Sequence, residues 1–441
     1  MVFIFLNIFP PLGRISFRRL AQNHSDDGLD FVQPLDICQI TVVLNLQFLF
    51  NKSRDGGYMQ TSIVFTGDIG FDRYMNKKWE DDNLLSNEIL DFLNNSKHVV
   101  ANVEGALYNG SDDNNRGIFF HAMDINAASF LKKIKADIWS IGNNHIMDAG
   151  KQGLLSTIDI AKNMNASTIG AGTNEEEASK PLYLNEAGGI GIICVAYQTE
   201  CVPATNENAG VFRWNDMELI SKKIKEIKSK CRWCIVVSHG GEEFASLPNP
   251  YTRNRYLKFL EMGADIVVGH HPHVVENYEL FDNKAIFYSL GNFIFDTDYQ
   301  RVHLYTNRGV LLKLNFDENS FGFDALGTYI NRNSERIEKN NLPDIFTNIN
   351  NDEYSLLIPL SAKAFIEEEK RKMVYLEPNI YKGCDDSAWN EYFFSEKPDG
   401  YYKDEHMDLS LIYPLSLKYD ENNWKNSSLT KVKEYICAQL K

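Results

Sequence analysis

No apolar run in this chain is long enough to cross a membrane as a helix, its cysteines make no framework, and it carries no surplus of positive charge. The most apolar stretch, Met1–Pro10, is interrupted by Asn7 and ends in Pro10-Pro11, whereas a spanning helix needs about 20 predominantly apolar residues. It also lacks the basic flank of a secretory leader. A cytoplasmic chain is therefore the default reading, with membrane association through the N-terminus left open. The seven cysteines (Cys38, Cys194, Cys201, Cys231, Cys234, Cys384 and Cys437) are odd in number and scattered, which is not the pattern of a disulfide scaffold. Cys231 and Cys234 form a lone Cys-x-x-C with no second pair to complete a zinc site. Cys234 opens the apolar run Cys234–Val237, so a buried thiol at a strand start is the simpler reading. A formal charge of −15 excludes a broad basic surface for nucleic acid. It leaves room for an anionic substrate held locally by metal ions or a few arginines.

What is present is an ordinary globular composition, 44% apolar and 24% charged over 441 residues, long enough for two or three domains. Residues 1–58 stand apart. Their five basic residues (Arg14, Arg18, Arg19, Lys52, Arg54) cancel five acidic ones (Asp26, Asp27, Asp30, Asp36, Asp55), and no strand–helix rhythm runs through them. This atypical segment is expected to be dispensable for the fold, with Met59 a candidate biological start. From residue 59 to about 330 an α/β rhythm takes over. Ile63–Phe65, His98–Ala101, Ile138–Ile141, Ile190–Ala196, Cys234–Ser238, Ile266–Val268 and Ala285–Ser289 read as buried strands. Between them, helices are expected from the N-cap candidates Asp124 and Asp216, and over Tyr251–Met262 up to Gly263. Alternation of this kind predicts a layered α/β domain. Residues 331–352, rich in Asn, Glu and Lys, read as a linker. Residues 353–441 form a C-terminal region that is aromatic (Tyr375, Tyr381, Trp389, Tyr392, Phe393, Phe394, Tyr401, Tyr402) and carries no chemical motif.

Polar, metal-competent residues follow the apolar strands, where open α/β sheets form their ligand crevice. They are Gly67-Asp68, Asn102-Val103-Glu104, Gly142-Asn143-Asn144-His145 with Asp148, His239-Gly240-Gly241-Glu242-Glu243, and Gly269-His270-His271-Pro272-His273. Five of the ten histidines fall in these loops. A lone Gly-Asp is ordinarily a turn, and a lone Asn-His ordinarily a loop hydrogen-bonder. Their ordered recurrence at strand ends points instead to a metal site. Carboxylate, amide oxygen and imidazole together suit Zn²⁺, Mn²⁺ or Fe²⁺, and two close ions would activate a hydroxide and polarise a phosphoryl or acyl oxygen. Glycines before Asp68 and Asn143 are expected to allow a tight turn at the strand end.

With Thr66-Gly67-Asp68, Asn102-Val103-Glu104, Asn143-Asn144-His145, Asp148-x-Gly150, His239–Phe244, Gly269–Val274 and Tyr288–Phe293 in this order, the stretch Ile63–Asp296 resembles the CapA family. That family is named for poly-γ-glutamate capsule synthesis and lies within the calcineurin-like metallophosphoesterases. The resemblance implies a four-layer α/β/β/α sandwich with one or two divalent metal ions (Mn, Zn or Fe) at one edge. Carried over by position, Asp68 resembles the first metal's carboxylate and Glu104 the bridging one. Asn144 and His239 resemble ligands of the second metal. His271 and His273 resemble the paired histidines of the final motif, with His270 able to replace one of them. His145 resembles the acid that protonates a leaving oxygen, oriented by Asp148. Glu243 and Asn292 would line the cleft or brace ligands, and Arg73 could hold an anionic group bidentately or sit as a solvated surface arginine. Two departures go with the resemblance. Asp68-Ile69-Gly70 has no histidine where metallophosphoesterases carry Asp-x-His, and Glu104 stands where they carry Asp.

The function so implied is a metal-dependent hydrolase or transferase acting on a phosphoryl or acyl centre of an anionic capsule polymer or its precursor, alongside capsule-synthesis proteins. The alternative is a non-catalytic, polymer-binding accessory subunit, which the missing histidine favours and the retained His145 disfavours.

Overall fold

The computed structural model describes residues 61–109, 119–197, 201–376, 390, 393–394 and 427–441; the expectations for residues 1–58, Tyr381, Trp389, Tyr392, Tyr401 and Tyr402 lie outside them. The apolar runs are strands of two sheets. The chain enters on β1 (Thr61–Ile69), β2 (His98–Val103), β3 (Ile138–Ser140) and β4 (Ser167–Ile169). It crosses to a second sheet with β5 (Leu182–Leu184), β6 (Ile190–Ala196), β7 (Trp233–His239), β8 (Ile266–His270), β9 (Tyr278–Phe281) and β10 (Lys284–Phe287). It returns through β11 (Asn292–Ile294) and closes the first sheet with β12 (Arg308–Phe316), β13 (Phe321–Asn331) and β14 (Arg336–Asn340). The first sheet runs β14-β13-β12-β1-β2-β3-β4, with β11 beside β1; the second runs β9-β10-β8-β7-β6-β5. Strands β1 to β4 are mutually parallel, as are β6, β7, β8 and β10. Parallel strands covered on both faces read as unbroken apolar runs, which is how they were legible in the sequence.

The two-residue alternation of each strand divides the side chains between two layers. Ile63, Phe65, Val100 and Ile138 face Ile192, Trp233, Ile235 and Val268 in one inter-sheet core. On the first sheet's outer face, Val64, Val99 and Trp139 pack against α1 (Asn87–Asn94), α2 (Ala128–Lys133) and α3 (Gly150–Asn163). On the second sheet's outer face, Ile193, Val195 and Val236 pack against α4 (Met217–Lys230) and α5 (Pro250–Glu261). The layer order is therefore α/β/β/α. Asp216 caps α4 by accepting from the Leu219 amide, and Asp124 caps the turn that leads into α2. Gly263, with φ +116, follows the last turn of α5.

Gly67 differs from expectation. It does not turn: it lies within β1, and a Cβ there would stand 2.2 Å from the Gly291 carbonyl oxygen. What it provides is close approach, so that Asp68 pairs in register with Asn292 on one side and Asn102 on the other.

Residues 331–352, expected as a linker, carry the edge strand β14 and bury Ile345, Phe346 and Ile349 in the inter-sheet core. The polar residues that suggested a linker are the solvated side of that edge. Two C-terminal helices join the same core. Helix α7 (Asn351–Leu376), which follows the short α6 (Asp298–Val302), contributes Tyr354, Leu357, Ile358 and Phe365. Helix α8 (Ser427–Ala438) contributes Val432 and Ile436. Among the described residues no helix is long and apolar enough to cross a membrane.

Candidate metal centre and its surroundings

The strand-end motifs meet at one edge of the two sheets because both parallel blocks present their C-terminal ends there. Asp68 lies at the end of β1, and Glu104 follows β2. Asn143, Asn144 and His145 follow β3. His239 and His270 are the last residues of β7 and β8, and Asn292 is the first of β11. At the centre, donor atoms of Asp68, Glu104 and His273 all lie within 4.8 Å of one another, and all three residues are buried.

Around Glu104 Oε1 stand His273 Nε2 at 3.5 Å, His239 Nε2 at 3.8 Å and His145 Nε2 at 4.0 Å. Neither Glu104 oxygen takes a hydrogen bond, although the side chain is fully buried. A buried carboxylate without donors is costly unless a cation or a proton meets it. Burial pushes the Glu104 carboxyl upward, and the charges of Asp68 and Glu243 add to it. Burial alone would raise Asp68 too, but hydrogen bonds and charge from His270 and His273 outweigh it and hold that carboxyl well below its usual range. Burial would lower His273, and the charges of Glu104 and Asp68 raise it instead. His239 is held well below its usual value by burial, with His271 the next contribution. A neutral imidazole is the form that binds metal. The donor set is thus compatible with a divalent ion: carboxylates gathered with imidazoles and short of a positive charge.

The two sides of the centre differ. On the first, His270 Nδ1 and His273 Nδ1 each stand 3.3 Å from an Asp68 oxygen, and Asn102 Nδ2 donates to Asp68 at 2.8 Å. Gly70, where a histidine is missing, is buried, and a Cβ there would stand 2.6 Å from the Phe295 ring. On the second side, Asn144 Oδ1 meets His239 Nε2 at 2.9 Å, and the His239 ring lies 5.0 Å from that of His271. All three histidines of the final motif therefore reach the centre, with His270 and His273 equally close to Asp68. Their loop is strained: His271 has φ +97 and His273 φ +58, and Phe244 opposite has φ +64. Non-glycine residues in this region cost about 1–3 kcal/mol each and persist where the surroundings hold them.

The remaining expected residues fall at different distances from this core. His145 Nδ1 meets Asp148 Oδ2 at 2.8 Å, and its Nε2 lies 3.0 Å from Asn144 Nδ2. Asn143 braces the turn beneath, donating to the Val103 carbonyl and accepting from the His145 amide. Asn292 is fully buried. Its Oδ1 meets His273 Nδ1 at 2.9 Å, and its amide donates to Gln300 and the Thr306 carbonyl, so it braces a histidine. Glu243 accepts from Tyr299 and lies 3.6 Å from Lys372 of α7. Arg73 is exposed with φ +49; its neighbour Asp72 is the one that reaches inward, to His121. The Asp72–His121 pair, Asn102, Tyr299 and Lys372 were not singled out from sequence. Asn102 stood inside a quoted motif and could have been; the others sit on no strand end and only the folded chain brings them here.

A family model described as bacterial capsule synthesis protein PGA_cap matches residues 62–297. Over 267 residues the chain is 29% identical to the PGA biosynthesis protein CapA of Bacillus subtilis, covering 59% of this chain and 69% of that one. Over 223 residues it is 30% identical to the capsule biosynthesis protein CapA of Bacillus anthracis, covering 48% of this chain and 53% of the relative, so it spans about half of that protein's length. Among solved structures, a 5'-nucleotidase of Candida albicans aligns over 63% of this chain and 53% of its own, with 13% identity and a TM-score of 0.37.

Proposed function

Because this chain belongs to the bacterial capsule synthesis protein family, we propose that it is a metal-dependent hydrolase or transferase acting on a phosphoryl or acyl centre of an anionic capsule polymer or its precursor. The observation that carries this reading is Glu104: a fully buried carboxylate with no hydrogen-bond donor, ringed by imidazole nitrogens at 3.5–4.0 Å. Asp68, Glu104 and His273 would hold one ion, with His270 close by; Glu104, Asn144, His239 and His271 would hold a second. Such an ion supplies an activated water and polarises the reacting oxygen.

The chain's own residues do the rest. Asp148 holds the His145 ring through Nδ1 and turns Nε2 toward the centre, where it can give a proton to a leaving oxygen. Burial keeps His145 below its usual value, and the charge of His121 adds to this against the pull of Asp148. A bound anionic substrate works in the opposite direction and returns the proton. Asn292 fixes the His273 ring so that Nε2 rather than Nδ1 faces Glu104.

An accessory, polymer-binding role is the second reading. It is favoured by Gly70, which stands where metallophosphoesterases carry a histidine and offers the first metal no ligand. Elemental analysis of the full chain and of His239→Ala, with hydrolysis of bis(p-nitrophenyl) phosphate, tests both. The expected result is at least one divalent ion per wild-type chain, lost in the variant, with turnover that depends on it. Equal metal in both proteins, or none in either after metal-replete expression, overturns the metal assignment. Full metal without turnover supports the accessory role.

A further inference from the structure

The geometry points to His121 as a second imidazole of the reaction centre, one that holds an anionic oxygen of the substrate beside His145. This rests on the functional reading above and extends it to a residue outside every strand-end motif.

Three constraints place His121. Its Nδ1 meets Asp72 Oδ2 at 2.5 Å. Its backbone amide donates at 2.8 Å to Asp148 Oδ2, the same oxygen that meets His145 Nδ1 at 2.8 Å. Its backbone carbonyl closes against Gly105, where a Cβ would stand 2.8 Å away and where φ is +103. Gly105 directly follows Glu104, so the loop leaving the buried carboxylate seats His121.

The ring then stands edge-on to His145, centroids 4.4 Å apart at 82°. It lies 5.0 Å from Phe295, which is 4.8 Å from His273. His121, His145, Phe295 and His273 form one continuous wall.

A buried His–Asp pair on its own is most simply a satisfied structural contact. Two such pairs joined at one carboxylate oxygen, with rings in contact beside a donor-poor glutamate, are more than packing requires. Asp72 occupies Nδ1 and leaves Nε2 as the ring's second polar atom, and the side chain keeps 8% of its surface. A phosphoryl or carboxylate group offers more than one anionic oxygen. With His145 on the leaving oxygen, His121 can take another. In the doubly protonated ring Nε2–H donates to that oxygen as a charge-assisted hydrogen bond, with the Asp72 carboxylate at Nδ1 balancing the charge.

The test titrates inorganic phosphate into the Mn²⁺-loaded full chain by calorimetry, for wild type, His121→Asn, His121→Gln and Asp72→Asn. An asparagine amide reproduces the Nδ1 contact to Asp72 and removes Nε2; a glutamine amide reaches the Nε2 position. His121→Asn should bind phosphate about tenfold more weakly at unchanged Mn²⁺ content. His121→Gln should recover part of that loss, and Asp72→Asn should fall between. A purely structural His121 would lower the melting temperature in both His121 variants and leave phosphate affinity alone. Phosphate that fails to bind the Mn²⁺-loaded wild type, or that binds wild type and His121→Asn equally, overturns the assignment. Absence of Mn²⁺ from wild type instead overturns the functional reading on which it stands.

Discussion

The loop His239–Phe244 is shared by two regions built on different rules. From one side it continues β7, and its histidine meets ligand candidates that follow the other strands. From the other side it is gripped by the C-terminal helices. Gln439, just beyond α8, donates to the Phe244 carbonyl and to Glu368, and accepts from Ser246. Ser361 of α7 accepts from the Leu247 amide, and Tyr354 donates to the Pro248 carbonyl. His303 stacks on Phe244 at 3.6 Å and meets Glu368 at 2.8 Å, with both partners of that pair fully buried. The sheet edges thus supply the candidate metal donors, while the helices supply none among the described residues and hold the loop that presents them. Ligands recur at sequence positions that topology makes equivalent; the grip is a set of single polar contacts with no period.

This comparison predicts that damage to the two regions separates. On the sheet side, His145→Ala should keep metal and melting temperature and lower turnover by about 10²–10⁴-fold, the usual contribution of a general acid. Asn144→Ala, one residue earlier, should lose metal instead. Metal stoichiometry, melting and hydrolysis measured on both variants decide it. A His145→Ala protein that empties of metal as readily as Asn144→Ala would show that the two residues do not divide their roles as proposed.

The same comparison explains what could be read in advance. The seven strand runs were visible because both faces of the parallel blocks are buried, and the ligand candidates because they follow those runs. Strands β13 and β14 were missed for the converse reason. Along β13 only Gly322, Gly327, Thr328 and Ile330 are buried, and Lys339 and Asn340 at the end of β14 are exposed. That is how a half-solvated antiparallel edge looks. The C-terminal helices hid their role because their decisive buried residues, Glu368 and Glu369, are charged types placed in a core by partners far away in sequence. His121 is similar: its partners Asp72 and Asp148 lie 49 and 27 residues distant.

On the helix side, Glu368→Leu should leave the metal donors in place and loosen the grip. It strips His303 and Gln439 of a buried partner, and removing one member of such a buried pair typically costs about 3 kcal/mol. The expected result is a melting temperature lower by several degrees, with faster proteolysis near α7 and metal still bound. An unchanged melting temperature would mean that the helices rest on the body without holding it.

The smallest expected effect is at Lys372, the one basic contact described between α7 and Glu243. Burial alone would raise the Glu243 carboxyl; the charges of Lys372, His271 and His273, in that order, with the Tyr299 hydroxyl adding, together outweigh it, and the group is held at about 2. A carboxylate depressed in the folded state stabilises above its unfolded value, ordinarily about 4.3, and that contribution is lost as pH falls through the folded value. Lys372→Ala should therefore raise the Glu243 carboxyl and begin the acid loss of stability at a higher pH. The pair is 3.6 Å apart with side chains 29% and 21% exposed, so solvent screening limits its worth to under about 1 kcal/mol near neutral pH. The difference between variant and wild type should shrink as pH falls through about 2, where wild-type Glu243 takes up its proton as well. Carboxyl NMR titration of Glu243, with melting followed from pH 7 to 2, reads both quantities. Tyr299→Phe, which removes the weaker contribution, should shift the carboxyl less. A Glu243 that titrates identically with and without Lys372 would remove the helices' electrostatic share in the site and leave them a mechanical one.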